Sequence, residues 1–126
     1  MHVELAPGWA LDLERGPDWL FIRLRPPRHG DTAQAELAEA LWQKMDQSFS
    51  HRVVLEMDDL WLLRSWMIGE LVKLHTRLSQ HGGMLRLCGL SEDNQEVLRQ
   101  CRLEASFPNY RNRNEAVMGY RPAQPR

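Results

Sequence analysis

Ser65 is the residue best placed to do regulatory chemistry, because it follows a short apolar connector and opens a predicted helix. A serine at a helix start can accept a backbone N–H, and such a capping bond is worth about 1 kcal/mol. The same position suits a phosphate, since the N-terminal N–H groups and the helix dipole both favour an anion. Phosphorylation adds about −1.5 to −2 charges, enough to release a partner that binds a neutral surface. From the residues alone, both a structural cap and a phosphorylation site are open for Ser65.

The residues flanking Ser65 indicate a binding surface. Arg64 can pair with a phosphate or with a carboxylate on a partner. Trp66 and Met67 would form a large apolar anchor if exposed, and such anchors dominate protein interfaces. The alternative for both side chains is packing in the core, to which Trp66 is less suited because tryptophan is rarely fully buried.

The connector before Ser65 adds three further candidates. Trp61 can join Trp66 in one surface patch, with Asp58 and Asp59 at its rim. The two aspartates could also hold a cation, but an exposed acidic turn is the commoner use of such a pair.

Catalytic and metal-binding patterns are missing from the sequence. Ser65 is not in a GxSxG motif, and no glycine-rich phosphate loop is present. Cys88 and Cys101 have no CxxC spacing, and we expect both to fill core space as reduced thiols. His75 lies on the apolar face of its predicted helix, which favours a core histidine over a ligand. We therefore predict a protein that is not an enzyme and has no cofactor and no metal site.

Charge and length limit the possible partners. The net charge is −1, which argues against a general nucleic-acid binder. Residues 31–70 hold eight acids against three bases, and residues 99–126 hold six arginines against two glutamates. This asymmetry either orients a docking protein or reflects solvated faces and a basic tail, and we favour the second interpretation.

The 126 residues suffice for one domain, predicted over residues 1–120, with a flexible tail over 121–126. No apolar run is long enough to span a bilayer, and the N-terminus does not resemble a signal peptide, so we expect a cytoplasmic protein without direct membrane insertion.

The predicted elements alternate between strand and helix. Strands are expected at residues 9–14 and 19–24 as a hairpin, at 52–57 buried on both faces, at 84–88, and as a last short strand at 107–110. Helices are expected at 33–49 with Thr32 as N-cap, from 65 or 66 to about 80, after Ser91, and weakly at 114–118. The expected inner faces comprise Leu37, Leu41, Met45 and Phe49 in the first helix, and Ile68, Leu71, Val72, His75 and Leu78 in the second. This order predicts an α/β fold with a largely parallel sheet.

The order and one stretch of sequence resemble the STAS domain, the fold of bacterial anti-sigma factor antagonists. The stretch is VVLEMDDLWLLRSWMIGELVKLHTRLSQHGGMLRLCGL, residues 53–90. Glu56 stands at the family's usual aspartate, Ser65 falls on the serine that many antagonists have phosphorylated, and Gly69 falls on the second glycine of the motif. Arg64 and Met67 depart from the motif, which has aspartate and glycine there, and Trp66 replaces its second serine.

The resemblance implies a four- to five-stranded mixed sheet with helices mainly on one face. It also implies regulation by binding a kinase-type anti-sigma factor, with Ser65 as the phosphorylated residue. The implied partner-binding residues are Asp58, Asp59, Trp61, Arg64, Ser65, Trp66, Met67 and Gly69.

Two other functions are open. The departures from the motif favour a scaffold or accessory subunit of a lipid transporter or stress-signalling assembly, without a phosphorylation switch. A homodimer that forms through Trp61 and Trp66 is the third hypothesis.

Overall fold

The backbone is organised around one mixed five-stranded sheet in the order β1-β2-β3-β4-β5. The computed structural model describes residues 2–6, 8–27 and 34–119. The strands are β1 (His2–Ala6), β2 (Trp9–Arg15), β3 (Leu20–Arg25), β4 (Arg52–Glu56) and β5 (Met84–Cys88). The first three strands pair antiparallel, whereas β3, β4 and β5 pair parallel.

The helices cover the two faces of the sheet unequally. They are α1 (Leu37–Gln47), α2 (Ser65–Gln80), α3 (Glu92–Gln100) and α4 (Arg113–Met118). Side chains of α1, α2 and α3 share the main core with alternate residues of the strands. The opposite face carries a second, smaller cluster, which contains Ala116 of α4 together with Trp19, Val54, Cys88 and Tyr110. The predicted architecture, a mixed sheet with helices mainly on one face, is therefore confirmed.

The central strand β4 fixes the position of the candidate site. Val53, Val54 and Leu55 are each fully buried, because helices cover both faces of the sheet at this strand. The hairpin of β2 and β3, the helix α2 and the strand β5 were all predicted from the residue pattern and are observed. Within residues 2–6, 8–27 and 34–119, no helix is both long enough and apolar enough to cross a bilayer.

Several predicted element boundaries are wrong. The strand β1 was not predicted, and α1 begins at Leu37 rather than residue 33. Phe49 is not on the buried stripe: it is 93% exposed, because α1 ends at Gln47 and Phe49 turns the chain with φ +55°. The segment 107–110 contributes only a bridge between Tyr110 and Cys88.

Four side-chain predictions are also corrected or completed by the structure. Val72 was expected on the inner face of α2 but is 38% exposed. Cys101 was expected in the core but is exposed, because it follows the end of α3. Cys88 is buried as expected, and burial raises the pKa of its thiol to about 12. His75 is half-buried and packs edge-on against Phe107, with ring centroids 5.2 Å apart. The predicted cap Thr32 and the predicted tail 121–126 lie outside the described residues.

Candidate partner-binding site

The connector between β4 and α2 turns some side chains inward and others outward. The N–H of Met57 donates to the carbonyl of Cys88 at 2.8 Å, which ties the start of the connector to β5. Leu60 and Leu63 are then buried, whereas Trp61 and Leu62 between them are 84% and 45% exposed. The two buried leucines therefore anchor a short apolar loop that faces solvent.

Asn94 of α3 holds this loop from behind. Its side chain is fully buried, and its Oδ1 accepts the N–H of Leu63 at 2.9 Å. Its Nδ2 donates to the carbonyls of Leu60 and Trp61 at 3.2 and 3.4 Å. A single amide thus satisfies backbone groups that no regular secondary structure would pair, and it fixes the conformation of the loop.

The helix α2 starts without a side-chain cap. Arg64 is the N-cap residue with extended φ and ψ of −88° and 158°, and its carbonyl accepts the N–H groups of Met67 and Ile68. Ser65 is the first helical residue and is exposed. Its hydroxyl makes no hydrogen bond to the described part of the chain, so the capping role considered for Ser65 is wrong.

The large apolar residues near Ser65 point in different directions. Met67 is 3% exposed and belongs to the main core, so it packs in the core rather than forming part of an exposed anchor. Trp66 is half-buried and packs edge-on against Trp9, with ring centroids 5.9 Å apart. Because the first turn of α2 faces the sheet at these positions, the exposed apolar patch consists of Trp61 and Leu62, and we call it the connector patch.

The aspartates of the connector are paired with arginines of β3. Asp58 lies 3.9 Å from Arg23, and Asp59 lies 3.8 Å from Arg23 and 3.2 Å from Arg25. Among the described residues, no group of three or more histidine, cysteine or acidic side chains could hold a metal ion. The two aspartates therefore join the connector to β3 through ion pairs.

Glu56, the last residue of β4, connects three elements through two arginines. It is 5% exposed and accepts from Arg23 at 3.1 Å and from Arg113 of α4 at 2.5 Å. Arg113 also pairs with Glu14, and this arginine holds the pKa of Glu14 below its ordinary value of 4.5. The basic C-terminal segment thus neutralises acids of the same molecule here, so this part of the charge asymmetry is structural.

The outward face of α2 continues the surface beyond the connector. Ser65, Gly69, Val72 and Thr76 are all exposed and recur at the helical spacing of three or four residues. A Cβ added at Gly69 would meet no atom within 4 Å. Nothing in the fold requires a glycine there, and its effect is to leave a flat strip on the helix.

Three residues that position or extend the site escaped the sequence analysis. Asn94 and Glu70 act on backbone about thirty residues away in the sequence, and Glu70 accepts the N–H of Ala38 at 3.1 Å, which caps α1 from outside. No local sequence pattern predicts such long-range hydrogen bonds. Leu62 carried a usable signal, because it lies beside Trp61 in an apolar run that interrupts polar sequence.

Comparison with known proteins decides the family. The family model of the STAS domain matches residues 13–116. The chain belongs to the STAS domain family. A comparison with curated proteins finds no match for this STAS domain.

Solved structures similar to this STAS domain share its fold at low identity. An anti-sigma factor antagonist from Mycobacterium paratuberculosis superposes with a TM-score of 0.71 at 15% identity, over 95% of this chain and 100% of the other. The phosphorylated form of the Bacillus cell fate determinant SpoIIAA gives 0.61 at 17% identity, over 88% and 99%. A structure of the stressosome, a signal integration and transduction hub, gives 0.65 at 14% identity, over 86% and 94%.

Proposed function

We propose that this STAS domain is a cytoplasmic regulatory module that acts as an anti-sigma factor antagonist. Its partner would be a kinase-type anti-sigma factor, which docks on the connector patch and on the outward face of α2. The observation that carries the proposal is an exposed Trp61 on a connector held by Asn94, four residues before Ser65, whose exposed hydroxyl makes no hydrogen bond to the described residues.

The connector patch has the properties of an interface anchor. Trp61 exposes 84% of its surface, and tryptophan is enriched among the residues that dominate binding energy. The loop that carries it is held by Asn94, so docking would order little additional backbone. A preorganised anchor of this kind reduces the entropic cost of association.

Ser65 has the surroundings that a phosphorylation switch needs. Its side chain is exposed in the first turn of a 16-residue helix, where unpaired N–H groups and the helix dipole stabilise an anion. A phosphate there would add about −1.5 to −2 charges at the edge of the docking surface. The expected consequence is weaker binding of the partner.

Incubation with the cognate kinase and ATP tests the switch. We expect one phosphate on the wild-type chain and none on Ser65→Ala, measured by intact mass. Absence of phosphate on Ser65, with a kinase that phosphorylates a known substrate in parallel, would refute the switch.

Titration calorimetry with the unphosphorylated partner tests the docking site. We expect Trp61→Ala and Ser65→Glu to weaken binding at least tenfold, because hot-spot truncation costs about 2 kcal/mol or more. Ser79→Glu, an exposed serine at the far end of α2, is the matched control and should bind like wild type. Unchanged affinity in Trp61→Ala and Ser65→Glu would place the interface elsewhere.

A scaffold without a switch is the second candidate, favoured by Arg64 at the N-cap of α2 and by the structural likeness to the stressosome. Constitutive co-purification with one partner and no phosphorylated form would support it. Homodimerisation through Trp61 is tested by sedimentation across a concentration series, in which Trp61→Ala should abolish any dimer. Trp66, the other residue considered for this contact, packs against Trp9 and contributes less.

A further inference from the structure

An open groove lies beside the connector patch, on the side of the β-hairpin. Its volume is about 560 Å³, and it runs between the connector, the start of β2 and the end of β3. Its walls include Trp61, Leu62 and Arg64 on one side and Arg25, Pro26 and Pro27 on the other. The groove opens broadly to solvent, so it is shaped for a segment of another protein rather than for an enclosed small molecule.

Of the charged residues in the walls of the groove, Arg64 is the one without an ion pair in the described part of the chain. Asp59 in the wall pairs with Arg25 at 3.2 Å, and Arg25 also pairs with Asp12. His2 lies 2.9 Å from the same Asp12. Arg64, in contrast, is exposed and forms no ion pair with the described part of the chain. The groove therefore presents one guanidinium that has no ion-pair partner among the described residues, and an incoming carboxylate would pair with it.

The apolar walls favour a segment that carries apolar side chains beside its carboxylate. Trp61 and Leu62 form one wall, and the Pro26-Pro27 pair forms the other without backbone N–H groups to desolvate. The proline rings are rigid, and Asn94 holds the connector backbone that carries Trp61 and Leu62, so binding would order little additional backbone. The unpaired guanidinium and the apolar walls of the open groove together favour a peptide segment that combines a carboxylate with apolar side chains.

We propose that the groove binds an extended acidic–apolar segment of the protein partner, with a carboxylate of that segment on Arg64. This inference rests on the proposed function and names the chemistry of its partner. It also gives the switch a mechanism. A phosphate on Ser65 would compete with the partner's carboxylate for the guanidinium of the adjacent Arg64, and the segment would lose its charged contact.

Two synthetic octapeptides test the proposal, one alternating leucine with aspartate and one alternating leucine with lysine. Binding to isotope-labelled protein is followed by NMR at the indole N–H of Trp61, which is assigned by its loss in Trp61→Phe. We expect the aspartate peptide to shift this signal and the lysine peptide to leave it in place. Arg64→Glu should lower the affinity for the aspartate peptide at least about tenfold, which is the effect of losing a charge-assisted hydrogen bond.

Arg52→Glu is the matched control, because Arg52 is an exposed arginine without an ion pair among the described residues and lies at the opposite end of β4. This variant should bind the aspartate peptide like wild type. Because the side chain of Arg64 forms no cap, Arg64→Glu should fold normally, which circular dichroism checks. Equal shifts with both peptides, no shift at millimolar concentration, or equal affinity in Arg64→Glu would overturn the proposal.

The cognate kinase separates this inference from the proposed function. If the kinase binds wild type and Arg64→Glu with equal affinity, the groove proposal fails and the antagonist function stands. If the kinase does not bind but the aspartate peptide does, the antagonist function fails and the groove proposal stands.

Discussion

Asn94 should be the residue whose loss most directly disorders the connector between β4 and α2. Its amide serves Leu63 at 2.9 Å and Leu60 at 3.2 Å, and both leucines are buried. Each buried backbone group left without a partner costs about 1–3 kcal/mol, so Asn94→Ala should lower the free energy of unfolding by about 3 kcal/mol. That is a large share of the roughly 5–15 kcal/mol of a typical domain.

Two variants separate the lost hydrogen bonds from a lost volume. Asn94→Ala removes the amide and leaves a small void, whereas Asn94→Leu removes the amide and nearly fills the space. We expect both to lower the urea midpoint by about 1–2 M at an m-value of about 2 kcal/mol/M. The exposed Asn114→Ala is the control and should change the free energy of unfolding by less than about 0.5 kcal/mol.

Hydrogen exchange gives the second measurement. The amide of Leu63 should exchange faster in both Asn94 variants, because its acceptor is the Oδ1 that they remove. The core strand β4 should keep its relative protection. A variant within 0.5 kcal/mol of wild type, or unchanged protection at Leu63, would refute the assigned role of Asn94.

Three further predictions use other parts of the structure. Gly69→Ala should raise the free energy of unfolding by about 0.5–1 kcal/mol in urea, because alanine is the better helix former and the added Cβ meets no atom. The hydrogen bond from Arg25 is the main reason why the pKa of Asp12 is lowered from 3.8. The ionised carboxylate therefore stabilises the fold above pH 3.8, and this contribution is lost as the pH falls through the lowered pKa. Asp12→Asn should show a flatter decline of the free energy of unfolding in acid. A thiol reagent at neutral pH should label Cys101 rapidly and Cys88 only on unfolding, counted by mass.

Each of these three predictions has a matched control. Gly83→Ala should lower the free energy of unfolding, since the added Cβ would lie 2.2 Å from the carbonyl oxygen of His51. If Gly69→Ala also lowered the free energy of unfolding, the first prediction would be contradicted. Asp18→Asn changes an exposed aspartate without an ion pair in the described part of the chain, and it should keep the wild-type acid profile. Cys101→Ser should abolish rapid labelling. If the remaining thiol, Cys88, still reacted rapidly in the folded protein, the third prediction would be contradicted.

The strand–connector–helix was predictable because its signals are local. An unbroken apolar run predicts a strand buried on both faces, and Val53, Val54 and Leu55 are completely buried. The start of α2 at Ser65 was predicted within one residue from its periodicity. By contrast, β1 and the late start of α1 depend on pairing and capping with distant residues, which periodicity does not report.

The sequence by itself determined the order of the elements from β2 to α3 and placed Ser65 at the start of α2, because hydrophobic spacing and turn residues act over a few positions. Only the tertiary structure decided which neighbouring side chains face solvent: Trp61 outward, Met67 inward and Trp66 between them. It also supplied Asn94, whose bonds span thirty-one residues to Leu63. The physical reason is that burial and long-range hydrogen bonds depend on which distant segments pack against a residue. Adjacent residues of similar chemistry can therefore differ in burial in a way that their local sequence does not show.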